Sequence, residues 1–281
     1  MPGLVKSGAA LIVSIVAVHL TYIGYIRPQA EVVMEAARAA GQSAPRDLVV
    51  ILKDYEQEIC LILMFWGIFL IAGKCFAILK DRYLFQVDFL DGATGNTAAG
   101  NSTAGDGAKG DDTGKDNQDL SSVLKSLEGL PHQVRDTPLV RTLTASLRRY
   151  LITKNVQDTS DAIDSSIEAL AVKLEAENSM IRYLIWAIPS LGFIGTVRGI
   201  GEALAQADQA LAGDIAGMTE SLGVAFNSTF VALLISIGLM FLLHQLQRLQ
   251  DGLVVDTQGY CESFLLNRIS TEEHHETAPQ S

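Results

Sequence analysis

The sequence predicts an all-α integral membrane protein: a helical bundle of four transmembrane helices that extends into a cytoplasmic helical region. Three observations carry that expectation. The 281 residues are 48% hydrophobic, with a positive mean hydropathy, which is high for a soluble chain of this length. Four apolar segments, Gly8 to Ile26, Ile59 to Leu79, Leu184 to Gly201 and Leu222 to Leu243, each approach the ~20 residues needed to cross a hydrocarbon core of ~30 Å. None of them holds an aspartate or glutamate in its apolar interior. The last two carry more than apolarity, because small residues recur along them at helical spacing: Gly192, Gly195 and Gly199 in the third, and Ser221, Ala225, Ser228/Thr229, Ala232 and Ser236 in the fourth. Residues three and four apart share a helix face, and a face without bulk lets another backbone approach closely. Such faces are expected to join one copy of the chain to another.

Taken in order, the first span follows Lys6 and ends in Tyr22-Ile23-Gly24-Tyr25-Ile26-Arg27 with no small-residue cleavage motif. It therefore reads as a retained helix with a tyrosine anchor at the interface, and not as a signal peptide. The second span bears Cys60 and Cys75, which stand at opposite ends of one helix, about 22 Å apart at 1.5 Å per residue. With Cys261 they form no disulfide framework and are expected to be packing residues. Residues 1–90 are thus a first helix pair with an external loop. Residues 91–119, rich in Gly, Ala, Asp and Asn and without apolar periodicity, cannot offset chain entropy by burial and are expected to be a disordered linker.

Residues 120–183 then form cytoplasmic helices. Leu139, Leu143, Leu147, Tyr150 and Leu151 mark one amphipathic helix, and Ile163, Ile167, Leu170 and Leu174 mark another that runs unbroken into the third span. Residues 184–245 are the core with the small faces. Residues 246–281 continue the last helix through Leu246, Leu249 and Leu253 and end in a polar tail.

Basic residues mark cytoplasmic flanks. Lys80 and Arg82 follow the second span, Arg182 precedes the third and Arg248 follows the fourth, whereas the loop from Gly201 to Ser221 is acidic without Lys or Arg. Both termini and residues 80–183 are therefore expected in the cytoplasm, in a multi-pass protein of the cell inner membrane. The four basic residues between Arg27 and Glu58 run against the rule for the first pair. A net charge of −11 with scattered Lys and Arg excludes nucleic acid as a partner.

No phosphate loop, hydrolase or kinase motif is present, since the glycines of the third span neither follow a strand nor precede a Lys-Ser/Thr pair. His274 and His275 are too few to form a metal site. No metal, cofactor or enzyme activity is expected. Polar residues inside the spans are the remaining candidates. Thr196 either lines a cavity or back-bonds to a carbonyl one turn earlier. Asn227, Ser228 and Thr229 span most of a helix circumference and cannot all hide by back-bonding, so they either hold helices together or face a polar route. His19 reads as a structural interfacial residue or a proton relay. Arg198, roughly 200° around the helix from Thr196, is expected to snorkel or to pair with Glu202.

The stretch Pro189-Ser190-Leu191-Gly192-Phe193-Ile194-Gly195-Thr196-Val197 with Gly199, followed by an acidic loop and Leu222-Gly223-Val224-Ala225-Phe226-Asn227-Ser228-Thr229-Phe230-Val231-Ala232-Leu233, resembles the signature of the MotA/TolQ/ExbB proton-channel family. The resemblance covers about Arg182 to Leu243, and two helices ahead of the cytoplasmic segment are similar to the MotA layout. It implies a homopentamer around two copies of a single-span partner of the MotB/TolR/ExbD type, whose membrane aspartate takes up and releases the proton. It also implies that Thr196 and the Thr229 region face that carboxylate and that Pro189 sits at the cytoplasmic end of the pore helix; Asn227 and Ser228 are the further pathway candidates, and Pro189, Gly192, Gly195 and Gly199 the residues expected to serve helix packing. Arg198 departs from the signature, Asn227-Ser228-Thr229 is not the usual polar sequence of MotA stators, and the glycine-rich linker is foreign to most members.

An independent argument reaches the same partner: a proton path needs a carboxylate within the membrane. The four spans supply none, so it must come from another chain or there is no conduction. The expected function is a stator-type proton-channel subunit coupling proton motive force to movement of a partner, in protein transport or related envelope work. The alternative is a non-conducting membrane scaffold. A transporter fits less well, since neither inverted repeats nor a broken-helix site is visible.

Overall fold

The computed structural model describes residues 2–39, 47–83, 112–213 and 215–266. Among these residues every regular element is helical. Four stretches are long and apolar enough to cross a membrane, Val5–Ala37, Tyr55–Asp81, Val156–Ala205 and Ala216–Ser263, and each contains one of the spans expected from the sequence. The chain divides into two compact units, one made of residues 1–74 and 178–246, the other of residues 75–177 and 247–281.

The first unit opens with α1 (Pro2–Thr21), a five-residue π-helical turn (Tyr22–Ile26) and α2 (Arg27–Ala39). Val18, Tyr22 and Ile26 recur every four residues and are buried against Val49, Leu52, Leu61 and Ile62. At the end of the first span, where a tyrosine anchor is expected, Tyr22 is fully buried and Tyr25 is exposed. A short helix α3 (Leu48–Ile51) leads to α4 (Tyr55–Tyr83), whose Gln57, Cys60, Gly67 and Ile71 face inward. Gly67 leaves room for Leu184 and Leu239, since a Cβ there would lie 3.2 Å from the Leu239 side chain.

The centre of this unit is the pairing of α9 (Ser179–Ala205) with residues 216–246 of α11 (Ala216–Tyr260). Gly192, Gly195 and Gly199 lie directly on Ala232, Ser228, Ala225 and Ser221. A Cβ on Gly192 would come within 2.5 Å of the Ala232 Cβ, one on Gly195 within 2.6 Å of Ser228, and one on Gly199 within 2.8 Å of the Ala225 amide nitrogen and the Ser221 carbonyl. Only hydrogen fits at these three positions. The small faces, expected to join copies of the chain, are instead filled by one another within a single chain. That corrects the expected use of this seam, and the reason is steric: once the two backbones are this close, no further helix can enter between them.

Pro189 stands inside α9 and has no N–H to donate to the Ile185 carbonyl one turn back. Ser236 of α11 replaces it, donating its hydroxyl to the Ile185 oxygen at 2.9 Å. The small-residue periodicity of α11 thus continues as polar repair of a proline break, in a medium that offers no water to do it. Nearby the Cys60 thiol donates to the Ile188 carbonyl at 3.8 Å. Cys60, Cys75 and Cys261 are all free thiols.

The second unit contains α5 (Asp112–Glu128), α6 (His132–Arg135), α7 (Pro138–Thr153), α8 (Val156–Glu177) and the end of α11, closed by a π-helical turn (Cys261–Leu266). Its core is Leu120, Val123, Leu127, Leu139, Val140, Leu143, Leu147, Ile163, Ile167 and Cys261. The α7 and α8 periodicities therefore mark real buried stripes. Pro138 starts α7 at a position where a missing N–H costs nothing, and Lys154 ends it in the left-handed region at φ 53°. Asn155 then caps α8, its side-chain oxygen accepting the Gln157 amide at 2.8 Å. Asn178 alone separates α8 from α9, where the sequence predicts an unbroken helix. Of the expected linker, residues 91–111 lie outside the described residues, whereas residues 112–119 form the first turns of α5. Leu120, Val123 and Leu127 anchor that helix from its far end.

Two outcomes follow from this packing. Gly195→Leu should lower the Tm of the purified chain, by an overpacking cost of at least about 1–3 kcal/mol. The loss should appear whether the sample is monomeric or assembled, and a drop confined to the assembled form would show that the seam lies between chains. Leu143→Ala should cost about 2–5 kcal/mol, read as faster hydrogen exchange across residues 139–167. Unchanged exchange there would remove Leu143 from the core.

Candidate ion pathway

Thr196 and Thr229 face each other across the glycine seam, and their hydroxyls are hydrogen-bonded together. The Thr196 Oγ1 also lies 3.2 Å from the Gly192 carbonyl and 3.1 Å from the Ala225 carbonyl. The Thr229 Oγ1 reaches the same Gly192 oxygen at 3.2 Å. Two hydroxyls carry two protons, and here they share three acceptors: two backbone oxygens and each other. Such a pair can reverse its donor direction without moving a heavy atom, which is the property a proton route requires. It also satisfies itself internally, which is the property a packing contact requires.

Next to Thr229 in the chain, Ser228 is buried and accepts a hydrogen bond from Gln57 Nε2 at 3.3 Å. Gln57 is 1% exposed. Asn227 is half-buried and takes no part in these bonds. Of the residues expected in the pathway, Thr196, Thr229 and Ser228 are therefore brought together, with Pro189, Gly192, Gly195 and Gly199 forming the wall that allows it. Gln57 is an addition: a lone glutamine at the start of an apolar run gives no signal until α4 is placed against α11.

A set of charges lies at the α4 end of the seam. Arg198 donates from Nε to Glu56 Oε1 at 2.7 Å and from Nη2 to Glu56 Oε2 at 2.9 Å, while Nη1 donates to Glu202 at 2.9 Å. The expected Glu202 pair is present, and the two-pronged bond to Glu56 adds to it. Glu58, 5% exposed, takes the His19 ring Nδ1 on Oε1 at 2.5 Å and Arg27 on Oε2 at 2.6 Å. The Arg27 guanidinium lies 4.4 Å from the Tyr55 ring centroid. Lys53 pairs with Glu220 at 3.0 Å. Just ahead of α4, burial pushes the Asp54 carboxyl above its ordinary range.

The spans expected from the sequence hold no carboxylate in their apolar interior, but Glu56 and Glu58 stand just ahead of Ile59, in the first turn of the longer helix Tyr55–Asp81. The acids sit in the first turn, where sequence alone reads them as a solvated flank, and only the fold turns them inward. Both oxygens of each carboxylate are already bonded, those of Glu56 to Arg198 and those of Glu58 to the His19 ring and Arg27. His19 is likewise engaged, at a buried glutamate that its sequence neighbourhood does not reveal. His274 and His275 lie outside the described residues, and among the described residues no cluster of three metal-ligating side chains occurs.

Comparison with curated proteins and with solved structures gives no match. A family model does match. It covers residues 134–258, the stretch that holds α7, α8, the whole seam of α9 with α11 and the threonine pair, and over that segment the chain is similar to the MotA/TolQ/ExbB proton channel family.

Proposed function

We propose that the chain is a stator-type proton-channel subunit of an inner-membrane motor, coupling proton motive force to movement of a partner. The observation that carries this reading is the hydroxyl pair Thr196–Thr229, set on two backbone carbonyls inside the segment matched to a proton channel family. Membrane hydroxyls that only lock helices need one acceptor each, whereas this pair has a network in which proton positions can rearrange. On this reading the α4 end of the seam, with Glu56, Glu202 and the acidic loop after Gly201, faces outward, and both termini and residues 80–183 face the cytoplasm.

The carboxylate that binds the proton is supplied by a partner. Glu56 and Glu58 support this by exclusion, since each is already bonded within the chain, Glu56 by Arg198 and Glu58 by Arg27 and the His19 ring. A single-span protein with a membrane aspartate, of the MotB/TolR/ExbD kind, meets the requirement. Five copies of the chain around two of the partner give it a surface to act on. Because the glycine seam is consumed within the chain, copies would meet through bulkier faces such as Phe193, Val197, Phe226 and Phe230, which are exposed in one chain.

The competing reading is a non-conducting scaffold, favoured by the fact that every threonine hydroxyl in the seam already has a partner. The double change Thr196→Val, Thr229→Val decides between them, since it keeps volume and removes only the hydroxyls. Proton uptake should fall to the level of a complex whose partner aspartate is changed to asparagine, measured in vesicles holding both proteins, with oligomer size unchanged. Uptake equal to wild type in an intact complex would establish the scaffold.

A further inference from the structure

The exposed faces of α7 and α8 are sorted by sign. α7 bears Arg141, Arg148 and Arg149 and no acid, whereas α8 bears acids from Asp158 to Glu177 against Lys173 alone. A helix face kept only for solubility ordinarily mixes both signs, so that residues one turn apart attract. The buried stripes of the two helices, Leu139–Leu143–Leu147 and Ile163–Ile167, belong to one core. The face of each helix opposite its stripe therefore points away from the other helix. Within one chain the two signs meet at the hairpin end, where Arg149 and Asp158 lie 3.8 Å apart.

The two faces follow one pattern. From Arg141, the residues Ala145, Arg148 and Ile152 stand four, seven and eleven positions along α7, and from Asp161, the residues Ser165, Glu168 and Val172 stand at the same steps along α8. Steps of three and four keep each set on one side of its helix. Both sets read charge, small residue, charge, apolar residue, and every member is exposed. Ile152 and Val172 are 74% and 61% exposed, although neither lies in a span expected from the sequence. Charges seven residues apart stand about 10.5 Å apart along a helix, so the two rows match whether the helices run parallel or antiparallel. Arg141, Asp164 and Glu168 have no ion-pair partner among the described residues. Arg148 is bonded to Glu128 at 2.7 Å, but with side chains 62% and 43% exposed that pair exchanges at little cost. Asp161 accepts the Gln157 amide at 3.1 Å.

We propose that the basic face of α7 in one copy of the chain packs on the acidic face of α8 in the next, a head-to-tail contact that joins the second units into a ring. Each copy offers one surface of each sign, and closure of the ring leaves neither unmatched. Exposed ion pairs add little affinity, but opposite rows fix partner and register while like rows repel. Ala145 and Ser165, between the charges, keep the faces shallow, and Ile152 and Val172 supply apolar surface to cover. The inference takes from the function proposed above only that several copies assemble, and it holds whether or not they conduct.

Ala145→Cys combined with Ser165→Cys tests the contact in the full chain, with the half-buried Cys75 changed to Ser and the buried Cys60 and Cys261 left in place. The two positions point away from each other in one chain, so oxidation in the membrane joins them between chains. On a non-reducing gel the double variant should run as linked dimers and larger multiples, and neither substitution alone should link. Links from either alone would show like faces meeting and overturn the head-to-tail order. No links in a complex whose native mass shows several copies would overturn the contact and leave the assembly standing. A native mass of one chain would overturn both the contact and the assembly that the stator reading requires. Arg141→Glu with Arg148→Glu should abolish the links, and adding Asp161→Arg and Glu168→Arg to the same chain should return them, since both faces are then reversed. Links that survive reversal of one face, or that fail to return in the fully reversed chain, would overturn the charge pairing.

Discussion

The first unit depends on the approach of two backbones at the α9–α11 seam. Three glycines remove every side-chain atom from one surface, and Ser221, Ala225, Ser228 and Ala232 keep the other shallow. In a lipid environment no hydrophobic gain drives helices together, so dispersion between close surfaces and hydrogen bonds across them must do so. The seam supplies both. Its closeness brings the Thr196 and Thr229 hydroxyls within reach of carbonyls on the opposite helix, and the same closeness lets Ser236 find the carbonyl that Pro189 leaves free.

Around this dry contact the polar residues are ordered by what they can reach. Hydroxyls lie in the seam, where backbone oxygens are the available acceptors. Carboxylates and guanidinium groups lie at the α4 end, where Arg198 ties α4 to α9 through Glu56, and Glu58 ties α1 and α2 to α4. Gln57 stands between the two zones and touches both kinds of chemistry. The gradient from full charge to neutral hydroxyl follows the rising cost of leaving a charge unsolvated.

Much of this was legible in the sequence, because the features concerned are periodic. Apolar runs of membrane length, the spacing of Gly192, Gly195 and Gly199, and the stripes Leu139–Leu143–Leu147 and Ile163–Ile167 all imply one buried face per helix. Periodicity says that a face is buried and not what it meets, which is why the glycine face was assigned to a neighbouring copy and not to α11. Glu56, Gln57 and Glu58 were opaque for a different reason. Their inward position comes from packing of α4 against α1, α9 and α11, and acids at a helix start look the same in sequence whether they face water or protein. The beginning of α5 at Asp112 was hidden likewise, because the residues that anchor it, Leu120, Val123 and Leu127, lie beyond the polar run.

The grip of Glu58 on His19 and Arg27 bears on how the first two helices enter the bilayer. Alone, an arginine or a buried glutamate resists transfer from water, and on an insertion scale a central arginine costs about 2.5–3.5 kcal/mol. Held 2.6 Å apart, Arg27 and Glu58 enter as a nearly neutral dipole. Insertion of α1 and the start of α2 with Arg27 is therefore easiest once α4 is alongside, so that the N-terminal helices favour partitioning as a hairpin over entering singly. Two of the four basic residues that run against the charge rule between these helices carry less topological weight for the same reason: Arg27 and Lys53 are each matched by an acid of the same unit before any lipid headgroup can read them.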